Sequence, residues 1–214
     1  MRYRGLAVCD LRWVKTVEDA GRIDSIEDAV AVVYPKDAAP EVESALRQIP
    51  MQNVAAFLTM GEGGKIQTVN GKTGVFDSDA SEDGALLIVN GKAILYPLSP
   101  QKKLSLIVNG KVIVHESLKQ HDGITFLCVN GKREYLDFSV EKHFEDLKMT
   151  ADFLRWLPPK TLLSADDVEI SLDVPGELLQ EKVARLTADE IRTPRRLLGL
   201  VRVLSVADDI DVLD

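Results

Sequence analysis

Leu86-Leu87-Ile88-Val89-Asn90-Gly91-Lys92-Ala93-Ile94-Leu95 places an Asn-Gly step between two short apolar runs. The step recurs as Val-Asn-Gly-Lys at Val69–Lys72, Val89–Lys92, Val108–Lys111 and Val129–Lys132. A near-constant period of this length marks a chain in which each turn contacts mainly its neighbours. The flanking runs, rich in Val, Ile and Leu, carry strand signals.

Degenerate copies extend the series outward. The reference positions become Asp28, Asn53, Asn70, Asn90, Asn109, Asn130, Asp167, Glu190 and Asp209, with one interval, from Asn130 to Asp167, much longer than the rest. This pattern predicts a mainly β fold with added helices, a right-handed β-solenoid of about nine coils. An antiparallel β-meander is the alternative for the centre, because Asn and Gly both tolerate the positive φ of a type I′ hairpin. The outer copies oppose it, since Asn53-Val54 and Asp167-Val168 put a β-branched residue where that turn needs positive φ. Stacked corners would align the Asn side chains in a ladder of amides.

The connections divide the expected single domain into segments: a cap over 1–22 with Leu6–Val14 covering the first coil, coils with a helix over 23–64, and purely β coils over 65–138. An inserted helix over 139–160 and C-terminal coils with helices over 161–214 follow. Pro40–Ile49, Pro175–Val183 and Thr193–Val201 carry the helix signals, each with proline at or near the start and apolar residues at helical spacing. The long gap between Asn130 and Asp167 is assigned to a helix of roughly Val140–Leu157, stopped by Pro158-Pro159. Its apolar face would be Val140, Phe144, Leu147, Ala151 and Leu154. A second edge of Phe153, Trp156 and Leu157 is a candidate protein interface, because Trp is enriched at interface hot spots.

A chain of 214 residues, 45% hydrophobic and 28% charged, can bury a core without disulfides or metals. No stretch approaches the roughly 20 apolar residues of a membrane span, and the apolar run from Gly5 to Cys9 is too short for a secretion signal. A cytoplasmic protein with no membrane contact is expected. Cys9 and Cys128 read as small buried thiols. The formal net charge is −8, yet residues 65–133 hold nine basic and six acidic side chains. Lys72, Lys92, Lys111 and Lys132 form a candidate basic stripe along one edge, a docking line for an acidic partner or polyanion.

Motifs for chemistry are lacking. His115, His121 and His143 have no metal-ligand spacing. Gly61-Glu62-Gly63-Gly64-Lys65-Ile66 fails the phosphate-loop pattern, with Thr59 where its first Gly belongs and Ile66 where a hydroxyl should follow the Lys, and reads as a flexible turn. Cys128 could pair with His121 or His115 across adjacent coils, and Asp166-Asp167 and Asp208-Asp209 are carboxylate pairs, though these lie on the periodic frame. No catalytic, cofactor or metal residue is assigned, and no enzyme is expected.

The Val-Asn-Gly step resembles the coils of bacterial β-solenoid proteins, among them the polymer-forming bactofilins and other Val-Asn-Gly repeat proteins. The resemblance implies a structural role without nucleotide and supplies no functional residue. The expected function is a non-catalytic scaffold or interaction protein, with an unknown protein partner or self-association and no nucleic acid. The alternative is a carbohydrate- or polyanion-binding protein or enzyme working along the lysine edge.

Overall fold

The computed structural model describes residues 1–213. They form two compact units, one from Met1 to Tyr135 and one that begins at Leu136. In chain order the first unit holds β1 (Arg2–Arg4), β2 (Val8–Asp10), α1 (Val17–Gly21), β3 (Ser25–Glu27), β4 (Ala31–Pro35), α2 (Pro40–Arg47), β5 (Met51–Gln52) and β6 (Ala56–Met60). Four long strands then follow, β7 (Lys65–Val75), β8 (Ala85–Leu95), β9 (Leu104–His115) and β10 (Ile124–Val129), and then β11 (Arg133–Leu136).

The strands make three parallel sheets, in the orders β1-β3-β5, β2-β4-β6 and β10-β9-β8-β7, with β11 alongside β9. The first two sheets and the helices α1 and α2 enclose a core of Leu11, Ile26, Val32, Val42 and Leu46, each at most 3% exposed. Thr16 starts α1 with a reciprocal capping box to Asp19, and Pro40 starts α2 at a position whose N–H needs no partner. The third sheet curls as a half-barrel around a second core of Leu87, Val89, Leu95, Leu106 and Val108.

Three of the Asn-Gly steps lie inside strands β7, β8 and β9, and Asn130-Gly131 falls between β10 and β11. Asn70, Asn90 and Asn109 pair in register, as do Gly71, Gly91 and Gly110. Amide groups link the column: Asn90 Nδ2 donates to Asn70 Oδ1 at 2.9 Å, Asn109 to Asn90 at 2.8 Å and Asn130 to Asn109 at 2.8 Å. The central meander is therefore excluded, since the long strands β7, β8, β9 and β10 pair in parallel. In the first two sheets the corners are left-handed at Asp28 (φ 57°) and Asn53 (φ 54°), where Asn53 Nδ2 donates to Asp28 Oδ1. Short polar side chains tolerate that region.

A single solenoid of nine coils is not what forms. Strand pairing stops after β6 and again after β11, leaving four separate sheets. The reason is visible in the burial of the third sheet, where Ala85 to Val89 are all buried, so both of its faces are covered. Leu86, Ile88 and Ile107 on its outer face pack with Ala31, Val33 and Ala56 of the second sheet. A face that a solenoid would expose is here the seam between two sheets, and the apolar run on both sides of the strand encodes it.

The second unit contains β12 (Glu141–His143), β13 (Asp146–Met149), α3 (Ala151–Trp156), β14 (Thr161–Ser164), β15 (Asp167–Ile170), α4 (Gly176–Lys182), β16 (Val183–Pro194), α5 (Leu198–Leu204) and β17 (Ser205–Leu213). One parallel sheet runs β12-β14-β16-β15-β13, with β17 on β16. The expected long helix over Val140–Leu157 is instead two strands and the short helix α3. Asp146-Leu147-Lys148-Met149 alternates exposed and buried, a period of two, and Thr150 Oγ1 then accepts from Phe153 N to start α3. Asp146 pairs with Asp167 as Asn109 pairs with Asn90, so one more turn of ordinary length fills the apparent gap. The expected helices at Pro40–Ile49 and Pro175–Val183 appear as α2 and α4, but the one expected over Thr193–Val201 is displaced: Thr193 and Pro194 end β16, and a short 3-10 turn at Arg195–Leu197 leads into α5.

Candidate functional site

Three surface features bring chemistry-bearing residues together. The first lies at the end of the first stack. β6 is its last strand, and register places Phe57 over Val32 and Thr59 over Tyr34, on the side that faces the core. Val32 is fully buried, yet Phe57 is 52% exposed, because no further strand or helix covers it. Leu46 of α2 closes the floor, and Tyr34, Pro35 and Ala38 form the wall of a cavity of about 340 Å³. The rings of Tyr34 and Phe57 stack at 6.3 Å and 18°. Burial pushes the Tyr34 hydroxyl above its ordinary range. At the rim, Arg47 is paired with Glu43 at 2.5 Å. Lys36, held between Pro35 and the start of α2, also lines the cavity.

Beside this shelf the turn Gly61–Gly64 is pinned. Arg12 Nη1 donates to the carbonyls of Gly61 at 2.9 Å and Gly64 at 2.8 Å, while its Nε and Nη2 hold Asp10. Lys15 pairs with Glu62. Burial would raise the Asp10 carboxyl, but hydrogen bonds from Arg12 and its charge outweigh burial and hold it below the carboxylate range. Gly61 N donates to Asp83 O and Gly64 N to Gly61 O, so two amides a phosphate would need are already used. The glycine turn is a fastened joint between β6 and β7.

The second feature is α3. Ala151 and Leu154 are buried, Leu157 is 5% exposed, and Phe153 packs edge-on to Phe144 at 5.6 Å. Trp156 beside them is 89% exposed. Of the expected interface edge, Phe153 and Leu157 belong to the core and Trp156 alone stands out. The third feature is a double column of acids in the second unit. Asp146, Asp167, Glu190 and Asp209 occupy one register row. Glu145, Asp166 and Asp189 stack beside it through backbone bonds of 2.8 and 2.9 Å. This unit has 10 basic and 17 acidic residues, a net charge of −7.

The lysine stripe is in register, with Lys72 beside Lys92 and Lys92 beside Lys111. One end of it is partly offset, because Lys111 and Lys132 share a single Glu134 oxygen at 3.3 and 3.8 Å. Cys128 Sγ contacts Asn130 Oδ1, whereas His121 Nδ1 accepts from Gly123 N with Nε2 at Ser99 O, and His115 Nδ1 lies 2.8 Å from Ser117 Oγ. Cys9 is buried, and burial, then the charge of Asp10, pushes its thiol up to about 11. Among the described residues no group of three His, Cys, Asp or Glu is placed to hold a metal ion, and no helix is long and apolar enough to cross a membrane. The shelf at Phe57 carried no signal in sequence, because it arises where stacking stops. The acid columns did, as Asp-Asp and Asp-Glu pairs at regular spacing.

No family model, curated protein or solved structure matches the chain.

Proposed function

We propose that this protein is a non-catalytic interaction module whose second unit docks a basic polypeptide through Trp156. The exposure of Trp156 carries the reading. A tryptophan that leaves nearly nine-tenths of its surface in water, on a helix seated in the core through Ala151 and Leu154, presents a large apolar surface that a partner can cover. Charge selects the partner. Two copies would each bring a unit of net −7, so a second copy is opposed by like-charge repulsion, whereas a basic surface is attracted.

The test is photo-crosslinking from position 152, exposed on α3 and four residues before Trp156, with position 119 as a control, followed by titration of the purified captured protein. A basic protein whose affinity weakens with added salt and falls at least about tenfold in Trp156→Ala supports the reading. An affinity indifferent to Trp156→Ala, or capture of a second copy alone, overturns it.

A further inference from the structure

We propose that the shelf formed by Tyr34, Leu46 and Phe57 in the first unit is a binding site for a small planar aromatic anion, with its ring on Phe57 and its charge at Lys36. This site is separate from Trp156 and does not rest on it.

Phe57 occupies a core-facing register position, directly over the fully buried Val32, and is still 52% exposed. Elsewhere in this stack the core-facing positions are closed by the next turn of chain. Here the chain leaves through the Gly61–Gly64 turn, whose carbonyls Arg12 holds and which does not line the cavity. The opening is thus held by hydrogen bonds and does not depend on a mobile loop.

The cavity, about 340 Å³, is at the small end of ligand sites and suits one or two fused rings. Leu46, Tyr34 and Phe57 line it, and Phe57, stacked with Tyr34 and still half-exposed, offers ring surface that favours a flat aromatic partner in offset stacking. The charges at the rim do not cancel. Glu43 and Arg47 satisfy each other. Lys36 is exposed and has no ion-pair partner among the described residues, so the surplus charge beside the ring is positive. The Thr59 hydroxyl lines the same space and can donate to an anionic oxygen. A carboxylate, sulfonate or phosphate on an aromatic ring fits both halves of the site.

The probe is anilinonaphthalene sulfonate, whose emission rises on burial, compared with uncharged phenylnaphthylamine of the same ring system, both titrated into the full chain. One saturable site is expected for the sulfonate. Lys36→Gln is expected to weaken the sulfonate about fivefold and leave the neutral dye unchanged. Phe57→Ala is expected to weaken both about tenfold, and Phe57→Leu, which keeps apolar volume without a ring face, to fall between. Melting temperatures of the variants show whether the fold is intact, and Lys119→Gln serves as a control remote from the shelf. Failure of the sulfonate to bind, or binding that neither Lys36→Gln nor Phe57→Ala alters in folded protein, overturns the proposal.

Discussion

The Cα of Gly110 faces the carbonyl oxygen of Gly91 so closely that a Cβ at Gly110 would stand 2.0 Å from that oxygen. Gly91 stands in the same relation to Gly71, at 2.2 Å, and Gly91 and Gly110 have φ of 144° and 145°. The Asn-Gly step is thereby explained twice over: Asn supplies the amide that bonds along the stack, and Gly lets adjacent backbones approach.

Gly110→Ala should lower stability by about 2–4 kcal/mol, from backbone strain and the forced separation of β8 and β9. Gly199→Ala, exposed in α5 with nothing within 4 Å of the new methyl, should stabilise by about 0.5–1 kcal/mol. Chemical denaturation of the two variants compares them directly. Equal effects would mean that the close approach does not hold in solution.

Asn90 bonds both ways in its column, donating to Asn70 and accepting from Asn109, whereas Asn70 and Asn130 stand at the ends. Asn90→Ala should therefore cost about 1–2 kcal/mol, and Asn130→Ala roughly half as much. A reversed ranking in urea unfolding would refute the cooperative ladder.

Trp156→Ala should leave stability within about 0.5 kcal/mol of the parent, while Leu154→Ala, at a fully buried position of the same helix, should cost about 2–5 kcal/mol. Acrylamide quenching supplies a second readout: removing Trp156 should abolish most of the quenchable emission and leave that of the less exposed Trp13. A large loss of stability in Trp156→Ala would show the indole to be packed.

Asp10 titrates below the ordinary carboxylate range when folded, so the stability it contributes is fully present above its unfolded pKa of about 3.9 and is lost as pH falls through the folded value. Asp10→Asn should therefore be less stable than the parent at neutral pH, with the difference shrinking only below about pH 4. A difference that persists unchanged into strong acid would remove Asp10 from the acid response.

Cys9, with its thiol at about 11 and its side chain buried, should resist iodoacetamide in the folded protein at about pH 8, where roughly one molecule in a thousand carries the thiolate. Denaturant should expose it. Mass spectrometry of the labelled peptide distinguishes Cys9 from Cys128, and rapid native labelling of Cys9 would contradict its burial.

The register of the Asn-Gly steps, the helix beginning at Pro40 and the placing of corners at Asp28 and Asn53 were legible in the sequence, because period and turn chemistry are local. The fold-back of one stack on another was not. Leu86 and Ile88 read equally well as excess hydrophobicity in a strand, and only their contact with Val33 and Ala56 gives the second face its meaning. The helix expected over Val140–Leu157 failed for a related reason. Val140, Phe144, Leu147, Ala151 and Leu154 match helical spacing, but the two-residue alternation at Leu147 and Met149 and the cap at Thr150 are better satisfied by strand, corner and short helix. Of the site residues, Trp156 was identifiable by type. The shelf at Phe57 was invisible, being defined by the end of a stack.

The seam between the second and third sheets also bears on how this chain can change length. Its middle turns are so alike that excising the stretch from Gly91 to Asn109 would rejoin strands in unchanged register. Judged by the column of amides alone, shorter and longer alleles should be interchangeable. The apolar face of β2, β4 and β6, however, spans about 10–15 Å at ordinary strand separation and must be covered from the other side. Removing one turn would strip that cover and an added turn would overhang it, so the face acts as a gauge for the number of turns the third sheet can carry.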